Sequence, residues 1–430
     1  MNRLPTNRWL HGFAVLTALA TFVLLGAGGL VTSKGVGMAV PDWPNTYGYN
    51  MFLFPVSQWI GGIFYEHSHR LIGAGVGLLT AVLAAWLWTR ETTGRSRWLG
   101  IGGIALTLVL MSARLMPVYL ALATGAVVVI VLTLRRFVKR PDELRWLGLT
   151  ALAAVILQGV LGGLRVVWIQ DELGIVHATL AQLFFVLVCV LALFTSRWWR
   201  ETVNRSAAEP EDAKPVAQRP FSPEPARLTT HKLALAVTLL ILGQLILGAT
   251  MRHQHAGLAI PDFPLAYGRL WPAMDAESVA RYNQQRIEVL AHNPITAFQI
   301  ALQMAHRLVA LAILVGVAAV AWRAKRFGRG DGDRVGAVLR RLAWGWLSLI
   351  VAQVALGAWT IWSNKAADVA TAHVLVGALS LVAGALWCVI GLRCRGWAAE
   401  AAWCGALKFP HRQSGFAGER SAGMISGVAG

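Results

Sequence analysis

Two short motifs set a histidine beside an arginine, and they differ at one position. Glu66-His67-Ser68-His69-Arg70 has a carboxylate three residues before His69, whereas Gln303-Met304-Ala305-His306-Arg307 has an amide at the matching distance from His306. Residues three apart share a helix face, so each side chain stands beside its histidine. A carboxylate there can accept a proton or stabilise developing positive charge. Gln303 can hydrogen-bond but takes up no proton, and this difference predicts chemistry in the first half and a supporting role in the second. A second histidine follows each motif, His177 in Gly174-Ile175-Val176-His177 and His373 in Thr371-Ala372-His373.

The four histidines are candidate metal ligands. A single histidine in an apolar helix is as well explained by hydrogen bonding inside a bundle, but a set of four that recurs points to a shared task. They are expected in the first turn or so of their helices, at nearly one depth. Zinc calls for three or four converging ligands, and each half offers two histidines, with Glu66 in addition in the first. Two imidazoles on facing helices suit a b-type haem iron, clamped from both axial sides. Arg70 and Arg307 are candidate contacts for haem propionates, since guanidinium groups match carboxylates; reaching lipid headgroups is the competing role. His11, His231, His253, His255, His292 and His67 are expected at helix ends or in loops, in contact with solvent. His67 should point about 160° away from His69.

Each motif follows a loop of common pattern. Gly37-Met38-Ala39-Val40-Pro41-Asp42-Trp43-Pro44 with Tyr47-Gly48 is matched by Gly257-Leu258-Ala259-Ile260-Pro261-Asp262-Phe263-Pro264 with Tyr267-Gly268. The chain therefore reads as an internal duplication. Pro41 lies 28 residues before His69 and Pro261 lies 45 before His306, so the second loop is longer by 17. His69 and His177 are 108 residues apart, His306 and His373 are 67 apart, and the surplus of 41 falls at about 98–138. Glycines recur before the second histidines, in Gln158-Gly159-Val160-Leu161-Gly162-Gly163 and Gln353-Val354-Ala355-Leu356-Gly357, where they permit close helix packing or clearance for a flat ligand.

The elements that position these residues are membrane helices. With 56% hydrophobic and 14% charged residues and a mean hydropathy of +0.55, the chain is too apolar for a soluble protein of its length. Runs near the roughly 20 residues needed to span a bilayer occur at 10–32, 67–89, 98–113, 116–134, 146–168, 174–195, 232–251, 300–322, 342–362 and 371–392. The expected fold is all-α and polytopic, with about ten helices in two tandem four-helix bundles. An extra hairpin at about 98–134 joins the first, because an even insertion keeps later helices in register with the charge pattern. The domains expected are 1–199, a linker at 200–230, 231–395, and a disordered tail at 396–430. Both halves should share one orientation, with the repeat axis along the membrane normal.

The net charge of +18 gathers in loops on one side of alternating helices, a positive-inside pattern. It attracts anionic lipid and gives no reason to expect nucleic acid. The N-terminus and basic loops are thus expected in the cytoplasm, with the histidine end facing outward. The first apolar run exceeds a signal-peptide core and reads as a retained helix. Cys189, Cys388, Cys394 and Cys404 fall outside the outward loops, and no structural disulfide is expected.

Taken together, the E-x-x-H-R motif, the paired proline-aspartate loops, the glycine-rich helices and the four histidines resemble the haem A synthases. These are membrane enzymes that convert haem O to haem A for cytochrome oxidase, and the resemblance covers about residues 10–395. It implies a haem b cofactor ligated by His306 and His373, with substrate haem O held by His69 and His177. It also implies Glu66 as the catalytic carboxylate, beside a methyl group that is hydroxylated to a geminal diol and dehydrated to a formyl group. Membrane lipid, a haem O synthase (farnesyltransferase), cytochrome oxidase assembly factors and a second copy of the chain are the partners it suggests, in a bacterial-type inner membrane. The chain lacks the outer-loop cysteine pair of some members, and the hairpin exceeds the usual eight-helix plan. Outside this family, a non-catalytic di-haem b-type cytochrome or a haem-handling protein are the alternatives.

Overall fold

The computed structural model describes residues 7–203, 225–285, 294–328 and 334–393. The described residues form eleven α-helices: α1 (Arg8–Ser33), α2 (Gly61–Glu91), α3 (Gly94–Met111), α4 (Met116–Lys139), α5 (Arg145–Trp168), α6 (Asp171–Thr195), α7 (Pro225–His253), α8 (Ala276–Gln285), α9 (Ala297–Ala324), α10 (Arg334–Trp362) and α11 (Ala367–Arg393). The tail expected at 396–430, with Cys404, lies outside the described residues, as do Cys394 and His292. Most of the expected linker does too, although α7 already begins at Pro225.

Nine of these helices are long and apolar enough to cross a membrane; α3 and α8 are the exceptions among the described residues. Helix α3 forms where the first arm of the extra hairpin was expected. Its 18 residues span about 27 Å at 1.5 Å each, close to the hydrocarbon thickness, but Arg95 and Arg97 occupy its first turn. Polar side chains inside the spans are satisfied locally. Thr17, Thr21, Thr80 and Thr238 each donate to the carbonyl four residues earlier, at 2.7–2.9 Å, which costs little in a medium without water.

Packing produces two closed rings of four. Helices α1, α2, α5 and α6 pack each on the next and back to α1; α7, α9, α10 and α11 do the same. The hairpin lies outside the first ring, with α3 against α2 and α4 against α5. The rings meet through α1 on α11 and through α6 on α7 and α11. A continuous apolar core joins them, running from Leu10, Ala14 and Val188 to Val317, Trp346 and Ala378. At this seam a methyl group on Gly29 would lie 2.8 Å from Thr371 Cγ2, and Ser33 Oγ meets Thr371 Oγ1 at 3.2 Å. Small residues allow α1 and α11 to approach this closely.

At the end opposite the proline-aspartate loops, α2 caps α5. Glu91 accepts from the Leu144 and Arg145 backbone N–H groups, both at 3.0 Å, supplying acceptors to a helix start that otherwise lacks them. Beside it, Glu143 accepts from Arg140, Arg145 and Trp146. Burial alone would raise the Glu143 carboxyl pKa, but these donors outweigh it and hold it below the usual range.

Candidate functional site

The two proline-aspartate loops are built alike, and each motif residue has a task. Asp42 accepts from the Tyr47 and Gly48 N–H groups at 2.8 Å each, and Asp262 accepts from Tyr267 and Gly268 at 2.7 and 2.9 Å. Tyr47 and Tyr267 have positive φ (49° and 53°) and are followed by positive-φ glycines, a geometry in which glycine carries no steric cost. Each tyrosine hydroxyl then donates back, to Ala39 O or Ala259 O at 2.5 Å.

The arginines of the two motifs clamp these loops. Arg70 donates to the carbonyls of Asp42, Asn45 and Val40 at 2.6–3.0 Å and to Glu66 Oε1 at 2.7 Å. Arg307 donates to Leu265 O and Asp262 O at 2.8 and 2.7 Å, with its Nε buried and unpartnered. Both guanidiniums, expected from the sequence to meet haem propionates, are engaged here by loop backbone.

Glu66 and Gln303 are 3% and 2% exposed and share a structural role. Glu66 Oε2 accepts from the Val40 N–H at 2.8 Å and Gln303 Oε1 from the Ile260 N–H at 2.7 Å. Beyond that they diverge. The second carboxylate oxygen of Glu66 takes Arg70, whereas the amide of Gln303 donates to Ile260 O and Gly257 O at 3.3 and 3.4 Å. His67 is fully buried rather than solvated. Its Nδ1 lies 3.1 Å from Thr46 Oγ1, and its ring packs on Phe54 and Trp59, so it anchors the first loop. His231 is buried as well, and the His11 ring nitrogen meets Ala192 O at 3.1 Å.

His69, His177, His306 and His373 lie about 9–14 Å along their helices from the first residue, at the 1.5 Å rise. That is two to three turns in, deeper than expected, and still nearly one level. His177 is an electrostatic neighbour of His69, and His306 of His373. In all four, Nδ1 is buried with no hydrogen-bond partner. Each ring also leans over a glycine of an adjacent helix. A methyl there would stand 2.9 Å from the ring at Gly28 (His69) and Gly162 (His177), 3.4 Å at Gly248 (His306) and 3.2 Å at Gly357 (His373).

A buried imidazole nitrogen without a partner is costly unless a ligand completes it. Two such rings per bundle, with space cleared beside them, fit the axial ligation of a flat macrocycle. Among the described residues no group of three or more histidine, cysteine or acidic side chains could hold a bare metal ion, which disfavours zinc.

A feature missed in the sequence completes the cradle. Four residues before three of these glycines stands a glutamine that holds the same histidine. Gln158 and Gln244 donate to the backbone oxygens of His177 and His306 at 2.7 and 2.9 Å, and Gln353 Nε2 lies 3.3 Å from His373 Nε2. The Q-x-x-x-G spacing in α5, α7 and α10 was the available signal. In α1 the corresponding residue is Leu24.

The hairpin meets the first loop at Trp43. A methyl on Gly163 would stand 2.1 Å from the Trp43 indole, and Trp43 packs on buried Tyr119 of α4 with ring centroids 4.5 Å apart. Gly163→Ala is expected to unseat the first loop at a cost of about 1–3 kcal/mol from overpacking, read as a lower melting temperature. Trp43→Leu in the same chain should restore most of it, and an unchanged melting temperature for Gly163→Ala would contradict the seating of Trp43.

The cytochrome oxidase assembly protein family matches residues 104–385. Among relatives, a protein of Geobacillus kaustophilus named Heme A synthase is 24% identical over 85% of this chain and 86% of its own. A Heme A synthase of Rhizorhabdus wittichii is 28% identical over 90% and 95%, and one of Lysinibacillus sphaericus is 23% identical over 90% and 96%.

Proposed function

Since this chain belongs to the cytochrome oxidase assembly protein family, as an integral, multi-pass membrane protein, we propose that it is a haem A synthase, oxidising a methyl group of haem O to a formyl group. The observation that carries the proposal is the double cradle, in which two histidines per bundle are stacked over glycines with one ring nitrogen buried and unpartnered. The names of the relatives supply the substrate.

In this reading His306 and His373 hold a resident haem b in the second bundle, and His69 and His177 hold the substrate in the first. A haem b bound there supplies a one-electron redox centre. The chain's own contribution is placement. Gln158, Gln244 and Gln353 fix the histidines, and the loops, pinned by Arg70 and Arg307, cover the cradle end. Glu66, one turn before His69, is the catalytic carboxylate that receives protons released as the methyl group is oxidised. The histidine end faces outward and the basic loops face the cytoplasm, as the lysine and arginine distribution favours. A haem O synthase, oxidase assembly factors and a second copy of the chain are the partners this activity would use.

A di-haem cytochrome that carries electrons across the membrane is less well supported. Such a protein needs its haems toward opposite faces, and here all four histidines share one level. The test is haem extraction and chromatography with mass detection from protein made in cells that also produce haem O. Haem A and hydroxylated haem O beside haem b are expected. Haem b alone, with haem O present and unchanged, would overturn the synthase reading in favour of electron transfer or haem binding.

A further inference from the structure

Besides Arg70 and Arg307, which are held by their loops, each cradle has a further cation on one of the helices that line it. Helix α5 offers one. Arg165 lies three residues after Gly162, on the same face, so its Cα stands about 4.5 Å nearer the loop end than the glycine beneath the His177 ring. It is an electrostatic neighbour of both His69 and His177. Two glycines leave it room: a methyl on Gly37 would lie 3.0 Å from its Nη1, and one on Gly174 would lie 2.9 Å from its Nε.

The second bundle repeats this design on a different helix. Arg252 of α7 lies four residues after Gly248, which sits beneath the His306 ring, so it is about 6 Å nearer the loop end. It reaches across the seam, donating to Gly29 O at 2.7 Å and to Ser33 Oγ, and it is an electrostatic neighbour of His373. Lys365, in the loop before α11, is close enough to feel its charge. After the other two glycines, Gly28 and Gly357, the matching positions are Thr32 and Thr360, so each bundle has one arginine a turn out from a histidine-facing glycine. Among the described residues no carboxylate pairs with Arg165, Arg252 or Lys365. Burial first and Arg252 second hold the Lys365 pKa below its usual value, the direction of a cation lacking a counter-ion.

Resting on the haem reading above, we infer that Arg165 and Arg252 are the carboxylate anchors of the two cradles, each binding the propionate edge of the macrocycle held by its own bundle. A carboxylate paired with a guanidinium in this apolar seam makes a charge-assisted hydrogen bond, which makes each cradle selective for a porphyrin with free acid groups. It also fixes which edge of the ring points to the loop end.

The experiment titrates haem, and separately haem dimethyl ester, into the full-length protein purified without haem, following the bis-imidazole absorption spectrum. His373→Ala isolates the first cradle and His177→Ala the second. Arg165→Gln should weaken haem binding in the first cradle by about tenfold or more and leave ester binding unchanged; Arg252→Gln should do so in the second. Arg165→Lys should keep most of the preference for the free acid, which separates charge from folding. Equal losses for acid and ester, or no loss for either, would overturn the anchor assignment while the haem reading stands. If parent protein with all four histidines gives no bis-imidazole spectrum with either porphyrin, both fall.

Discussion

Glu66→Gln leaves the protein folded with its haem content intact and lowers conversion of haem O to haem A by about 10²–10⁴-fold, the usual contribution of a positioned acid or base. The second half of the chain contains the control. Gln303 occupies the matching position and still accepts from the backbone N–H of its loop, at 2.7 Å, so an amide can do the structural work. Arg307 also clamps its loop with no carboxylate among its partners, so Arg70, with three carbonyls, retains its place. What the substitution removes is the ability to take up a proton. A partly oxidised porphyrin should accumulate, visible by mass detection. Full activity in this variant would take Glu66 out of the chemistry. Glu66→Ala is a poorer test, because it also strands the buried Val40 N–H and the Arg70 guanidinium.

His306→Ala and His373→Ala each strip the resident haem, whereas His69→Ala and His177→Ala leave it bound and abolish turnover. Losing a group that merely orients a metal ligand already costs about 10–100-fold in affinity, so losing the ligand itself should weaken haem binding by more than that and lower the haem retained per polypeptide. Pyridine haemochrome quantitation of the four purified variants decides the matter. Undiminished haem in the His306 and His373 variants, or loss in the first-half pair instead, would reverse or remove the assignment of the two halves.

The membrane helices and the four histidines were legible in sequence because burial in a bilayer writes long apolar runs and makes each polar interruption conspicuous. The loop motif was visible as a repeat, but its purpose was not. Asp42 and Asp262 act on backbone N–H groups five and six residues on, and Arg70 reaches carbonyls of residues 25–30 positions earlier, contacts that follow from tertiary folding alone. His67 misled for a similar reason. Its direction away from His69 suggested solvent, yet Phe54 and Trp59 of the first loop fold over it. Helix α8 lies in the longer second loop and carries no membrane signature, being short and polar; it presents Tyr282 to stack on Tyr267 with centroids 3.6 Å apart.

The hairpin also makes the two rings unequal in cover. Helices α3 and α4 cover the α2–α5 flank of the first ring, with Phe137 of α4 also stacked on Phe194 of α6, and the α1–α6 flank faces the other bundle. In the second ring the flank matching the covered one, α9–α10, has no such cover among the described residues. The two rings thus differ in how much of their flank is shielded by further helices as well as in the single carboxylate, and the more enclosed of them is the one that contains it.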